Sequence, residues 1–230
     1  MSMSWDAFRA AASALTVFQG ALMDVNHPFA EEWNWEWEIA APSNPLHRAY
    51  PGYGYLISRN NVRHVGAAPL DEGSCGTHDG ELDVGERFVS DPCAVDPTTN
   101  SVDGCMCMYE FHVVYSPTYK VPLLYLRGHL VDGTLLNTQT VQQHMSTPGA
   151  KFISQDEHPV LGLPFYVLHP CETAACLSLL LDQRVSTASS TRPPLPPLQH
   201  LLAWLTLVQP CTRIRVPASF AMAYLRSSSS

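Results

Sequence analysis

Two β-rich runs, MYEFHVVYS at residues 108–116 and VPLLYLRGHLV at residues 121–131, stand only four residues apart. A gap that short closes an antiparallel hairpin, and Pro117 marks its turn because its fixed φ suits a turn's first corner. Asp132-Gly133 supplies the turn chemistry that ends the second run. The chain is thereby committed to an antiparallel sheet at its centre.

The flanking patterns extend that sheet and cover it. Trp33, Trp35, Trp37 and Ile39 alternate with Asn34, Glu36 and Glu38, a period of two that predicts a strand with one buried aromatic face. A tryptophan stripe of this kind can bind a sugar or a base but is more often core. Residues 52–62 read as its partner strand, with Asn60 and Asn61 supplying turn chemistry. Trp5, Phe8, Ala12, Leu15, Phe18 and Leu22 recur at steps of three or four and predict an amphipathic helix. Residues 137–145 suggest a short helix capped by Asn137 or Thr138, and the apolar run before His169 reads as a strand. A helix is expected over about 172–183, and another carries Leu198, Leu201, Leu202, Leu205 and Val208 on one face. The prolines of residues 186–197 favour an extended linker; Arg192 with those spaced prolines suits an SH3-type groove or a plain connecting loop. The order predicts an α+β domain with a mainly antiparallel four-stranded sheet and flanking helices.

Composition narrows the function. With 230 residues and 46% hydrophobic content the chain can build a sizeable core. Its net charge of -8 gives no basic face for nucleic acid. Nine of the acids and a single base, Arg87, fall between Gly66 and Gly104, so this Gly-, Pro- and Ser-containing stretch carries the whole net charge and reads as an acidic flexible excursion. The N-terminal apolar stretch is shorter than the roughly 20 residues needed to span a bilayer and has helical order, so no membrane insertion is expected. Seven cysteines without a regular framework fit a reducing, cytoplasmic compartment. Cys75, Cys93, Cys105 and Cys107 lack the spacing of a zinc knuckle, so no metal and no other cofactor is expected.

One cysteine has a setting suited to chemistry. In FYVLHPCETAAC, residues 165–176, Cys171 follows His169-Pro170 at a strand-to-helix junction. Pro170 fixes the chain before the thiol, and the expected helix presents N–H groups and a positive dipole end to the sulfur, which favours thiolate. Glu172 opposes that shift. A buried structural cysteine is the competing reading, and Cys176 inside the apolar helix exemplifies it.

The run YEFHVVYSPTYKVPLLYLRGHLVDGTLL followed by QDEHPVLGLPFYVLHPC resembles the autophagy E2-like conjugating enzymes. Two branches of that family share His-Pro-Cys. One passes a ubiquitin-like protein to a lipid amine; the other passes autophagy protein twelve to a lysine of autophagy protein five. The second is the nearer in EHPVLG, PF and VLHPC and in WLTLVQPCTRIRVPASFAMAY. The likeness is dense from Tyr109 to Cys171, weaker over Leu198 to Tyr224, and architectural before that.

The resemblance implies a single E2-like domain over residues 1–230. It also implies that Cys171 accepts the modifier as a thioester from an E1-like activating enzyme, autophagy protein seven, and yields it to an amine. Ordinary ubiquitin E2 enzymes carry His-Pro-Asn before the cysteine. Here His27-Pro28 is followed by Phe29 and His158-Pro159 by Val160, so the oxyanion donor must come from elsewhere. His169, Tyr115 and Tyr125 are the candidates. The chain has only two lysines, Lys120 and Lys151, which codon usage explains and which would also limit self-conjugation. The rival classes are a cysteine peptidase, with Cys171 paired to a distant histidine, and a non-catalytic adaptor that recruits through the acidic excursion and the Arg-Pro-Pro run.

Overall fold

The structure, a computed structural model, describes residues 3–24, 33–65, 105–145, 153–169 and 196–217. The acidic excursion, Cys171 with the expected helix that follows it, the linker up to residue 195, Lys151 and the terminal serines lie outside these residues.

The expected hairpin forms from β3 (Cys105–Ser116) and β4 (Val121–Leu130), in register from Cys107 opposite Leu130 to Ser116 opposite Val121. On the other side of β3 lies β2 (Gly54–Val65), and outside it β1 (Trp35–Ile39). The sheet has six strands among the described residues rather than the four expected. The two beyond the four are β5 (Ile153–Glu157), which was not expected, and β6 (Pro164–Leu168), the strand expected before His169; they form an antiparallel hairpin, and the order is β1-β2-β3-β4-β6-β5 with every neighbour antiparallel. β5 escaped detection because it is an edge strand: only Ile153 is buried, and Ser154, Gln155, Asp156 and Glu157 face solvent, so no apolar alternation marks it. Exposed carboxylates on such an edge discourage pairing with other chains. Pro122 is tolerated within β4 because β6 pairs with that strand only at Tyr125 and Leu126.

A second correction concerns Asn60 and Asn61, which form no turn. They sit within β2, where the pairing with β3 shifts between Ser58 and Asn61 and Asn60 takes φ 58. This is a β-bulge, in which one extra residue is accommodated by a left-handed backbone that asparagine tolerates. Nine residues paired with β3 outweigh the local turn preference, and Asn61 uses its amide to donate to the carbonyls of Ser58 and Tyr109.

Helix α1 (Trp5–Asp24) opens on Ser4, whose hydroxyl accepts from the Ala7 N–H at 3.2 Å. Its predicted face is the buried one: Trp5, Phe8, Ala12 and Leu15 are sealed from solvent. Trp5 and Phe8 pack with Tyr53, Tyr115 and Trp37 in an aromatic cluster on one side of the sheet. Trp33 and Trp35 are fully buried and Trp37 partly so, but Ile39, on the same face of β1, is 64% exposed. The aromatic stripe thus runs out of the core towards its C-terminal end. A short helix, α2 (Pro45–Ala49), follows β1 and is capped by Asn44, which accepts from the Leu46 N–H at 2.9 Å. For α3 (Thr138–His144) the cap is Asn137, accepting from the Thr140 N–H at 2.9 Å, which decides between the two expected caps.

The last described helix, α4 (Pro197–Thr212), packs against α1 and begins inside the proline run: Pro196 is its N-cap and Pro197 its first residue. The expected linker therefore ends one residue early, since proline at a helix's first position gives up only an N–H that has no partner there. All five leucine and valine positions expected on its inner face are buried. None of the described helices is long and apolar enough to cross a membrane.

Candidate active site

Strand pairing sorts the candidate residues by face. His112 on β3 stands opposite Tyr125 on β4, and Tyr125 stands opposite Val167 on β6, so the three share one face of the sheet. Tyr115, three residues after His112, lies on the other face. There it packs on Trp5 and Phe8 and its hydroxyl donates to the Met3 carbonyl at 3.0 Å. The two candidate tyrosines are thus on opposite sides of the sheet. β6 ends at Leu168, and the partly buried His169 follows it directly. In the sequence Pro170 and Cys171 come next, outside the described residues.

The face that carries Tyr125 holds a polar cluster. His112 and His158 are completely buried. Nδ1 of His112 lies 3.0 Å from Nε2 of His158, and Nε2 of His112 lies 2.6 Å from Oε1 of Glu110. His158 opens the turn between β5 and β6 and is boxed by aromatic rings: Tyr55, Tyr125 and Phe165 each stand 5.0 Å away. Tyr55 also stacks on His112 at 4.8 Å, and Arg127 lies over Phe165.

Burial governs the electrostatics. It holds Tyr125 up to about 12, with Asp156 adding to the effect, and Tyr55 up to about 12, with help from Glu38 and Glu110. Both phenols therefore keep their protons near neutral pH and remain donors. Tyr115 is raised too, by burial first. The hydrogen bond from His112 holds the Glu110 carboxyl below its usual range despite partial burial.

Sequence reasoning missed this cluster. Glu110 and His112 alternate on one face of an otherwise apolar strand, and two polar residues at a spacing of two in MYEFHVVYS were the available signal. No local signal marked His158 as their partner 46 residues on. Of the cysteines considered for zinc, Cys107 is buried in β3, and Cys75 and Cys93 lie outside the described residues.

Comparison with known proteins decides the family. A family model described as "Autophagocytosis associated protein, active-site domain" matches residues 8–219. The chain belongs to this family. The match takes in the whole sheet, α1 from Phe8 onward, all of α4 and His169-Pro170-Cys171, so the E2-like α+β expectation holds, with six strands in place of four. Among its relatives, the human ubiquitin-like-conjugating enzyme ATG10 is 28% identical over 202 residues, covering 83% of each chain. The enzyme of the same name from Arabidopsis thaliana is 33% identical over 117 residues, 47% of this chain and 50% of that one. The one from Dictyostelium discoideum is 31% identical over 123 residues, 48% and 52% of the two. The chain is accordingly an autophagy E2-like conjugating transferase, and the autophagocytosis-associated fold supplies it with a sheet whose penultimate strand leads straight to the His-Pro-Cys sequence.

Proposed function

We propose that Cys171 carries the C-terminal acyl group of a ubiquitin-like modifier, autophagy protein twelve, as a thioester. It receives the group from the E1-like autophagy protein seven and passes it to a lysine of autophagy protein five. In the first step the Cys171 thiolate attacks the activated carbonyl and the activating enzyme's thiolate leaves. In the second a lysine amine attacks, the new C–N bond replaces the C–S bond, and the amine's proton is released. The first exchange swaps one thioester for another and the second runs downhill from thioester to amide, so this chain needs neither metal nor nucleotide; ATP is consumed upstream. The reaction belongs in the cytoplasm, where the thiol stays reduced.

The observation that supports this reading is the sequence position of His169-Pro170-Cys171, directly after the residues of β6 and within a family match named for its active-site domain. Oxyanion stabilisation falls to a donor within about 3 Å of the developing charge. Tyr125 and His169 are favoured over Tyr115, because β6 pairs with Tyr125, and Tyr115 points into the α1 side and already donates to Met3.

A reconstituted reaction with activating enzyme, modifier and ATP tests the proposal. Wild type is expected to give a reductant-sensitive adduct; Cys171→Ser gives a reductant-stable oxyester or none. Adduct formation that survives Cys171→Ala removes the assignment. Discharge onto a phospholipid amine in place of a protein lysine would assign the chain to the lipid-modifying branch.

A further inference from the structure

The buried histidines His112 and His158 have their protons fixed by their surroundings. Nδ1 of His158 accepts from the backbone N–H groups of Val160 and Leu161, both at 3.2 Å. A ring nitrogen that accepts two N–H donors carries no proton, so the remaining nitrogen, Nε2, carries it and donates to His112. Nδ1 of His112 is therefore an acceptor, and its proton sits on Nε2 and goes to Glu110. The reverse order would require His158 to be an imidazolate. The hydrogen bonds run one way, from the turn backbone through two neutral imidazoles to a carboxylate.

The hairpin at the end of this chain needs such an anchor. β5 and β6 pair with each other along five positions, but β6 joins the rest of the sheet through only two, Tyr125 opposite Val167 and Leu126 opposite Tyr166. The chain crosses β4 and fastens the turn to β3. The turn is closed on itself by the His158 N–H to the Leu163 carbonyl at 2.8 Å and the Gly162 N–H to the His158 carbonyl at 2.9 Å. Asn44 holds it from the other side, donating to the Pro159 carbonyl at 3.0 Å.

We propose that Glu110, His112 and His158 are positioning residues for conjugation. Their one-way hydrogen-bond chain fixes the turn that leads into β6, and through that strand where His169, two residues before Cys171 in the sequence, stands relative to Tyr125. This rests on the reading of Cys171 as the acyl carrier. Burial, followed by the neighbouring His112, pulls His158 down to about 3, in keeping with a neutral ring. Arg59 on β2 and Arg127 on β4 help keep Glu110 ionised as the chain's final acceptor.

The test has a spectroscopic and a kinetic arm. In long-range nitrogen-proton NMR of the full chain labelled at histidine, both rings are expected as the Nε2–H tautomer at neutral pH; an Nδ1–H or charged form of either overturns the chain. In single-turnover discharge of loaded enzyme, His112→Leu should be slower than wild type by about tenfold per folded molecule, as expected when a reacting group is slightly misplaced. His112→Gln, which keeps an acceptor and a donor on one amide, should recover most of the rate. If His112→Leu does not fold, His158→Asn serves, since its amide oxygen can still accept from the turn backbone while the link to His112 is lost. Discharge at the wild-type rate by a folded His112→Leu or His158→Asn overturns the proposal. If wild type itself fails to load at Cys171, it is the acyl-carrier reading that fails, and the tautomer measurement distinguishes the two.

Discussion

The guanidinium carbon of Arg63 lies 4.8 Å from the centre of the Tyr109 ring, inside the protein, where it also donates to the carbonyls of His144 and Cys211. These carbonyls belong to the last turns of α3 and α4, whose backbone oxygens lack helical partners and carry the negative end of each helix dipole. A cation from β2 thus fastens two helix ends to the sheet. Burial and then Arg213 bring its proton affinity down to about 10, which leaves it charged at neutral pH. Arg63→Ala should lower the unfolding free energy by about 3 kcal/mol, because it removes a desolvated cation–π contact and leaves buried carbonyls unpaired. Arg63→Lys should recover little of that, since an ammonium lacks the planar fork that reaches both carbonyls. Urea denaturation measures both, and a loss well under 1 kcal/mol for the alanine variant would refute the clamp.

Acid should destabilise the fold well before the surface carboxylates titrate. His158 protonates near 6.5 in the unfolded chain but near 3 in the folded one, so between these values the unfolded state binds more protons and stability falls as pH falls. His200 and His144 are shifted the same way, burial being the largest cause for each. Glu110 adds to the loss lower down, as pH drops through its depressed folded value. Each such group contributes at most about 1.4 kcal/mol per pH unit inside its window. Denaturation curves from pH 7 to pH 5 should show the decline, and His158→Asn should reduce its slope by about 1 kcal/mol per unit. A wild-type stability flat across that range would contradict the neutral, buried assignment.

The two tyrosines raised as oxyanion donors should separate cleanly. Tyr125→Phe is expected to slow discharge of loaded enzyme by about a hundredfold if its hydroxyl stabilises the oxyanion. Tyr115→Phe should leave discharge unchanged and cost about 1 kcal/mol of stability through the lost bond to Met3. The reverse pattern would place the reacting carbonyl on the α1 side of the sheet.

At the bulge, Asn60 holds φ 58. Asn60→Gly should be neutral or slightly stabilising, while Asn60→Val should cost about 2 kcal/mol because a β-branched side chain resists the left-handed region. Thermal unfolding of the pair reads the difference directly. Equal midpoints would mean that the strand passes this point without its bulge.

The strands that could be read in the sequence were those with an inside and an outside. β3 and β4 announced themselves by β-rich runs and a four-residue gap, α1 and α4 by apolar residues at steps of three and four, and each lies where its pattern put it. β5 had only Ile153 to bury and left no pattern. Asn60-Asn61 carried a true local preference, for a left-handed residue, but whether that preference makes a turn or a bulge depends on what pairs alongside it.

The candidate site divides in the same way. His-Pro-Cys and its family could be recognised from residues adjacent along the chain, because a sequence motif is local. Which tyrosine shares a face with Val167, and that His158 meets His112 across 46 residues, followed only from the register of three strands and the path of one turn. Periodicity indicates which face of an element turns inward, though not how far along it burial extends, as Ile39 shows; long-range pairing fixes which buried residues touch, because register is set by the sum of contacts along whole strands and not by any single segment.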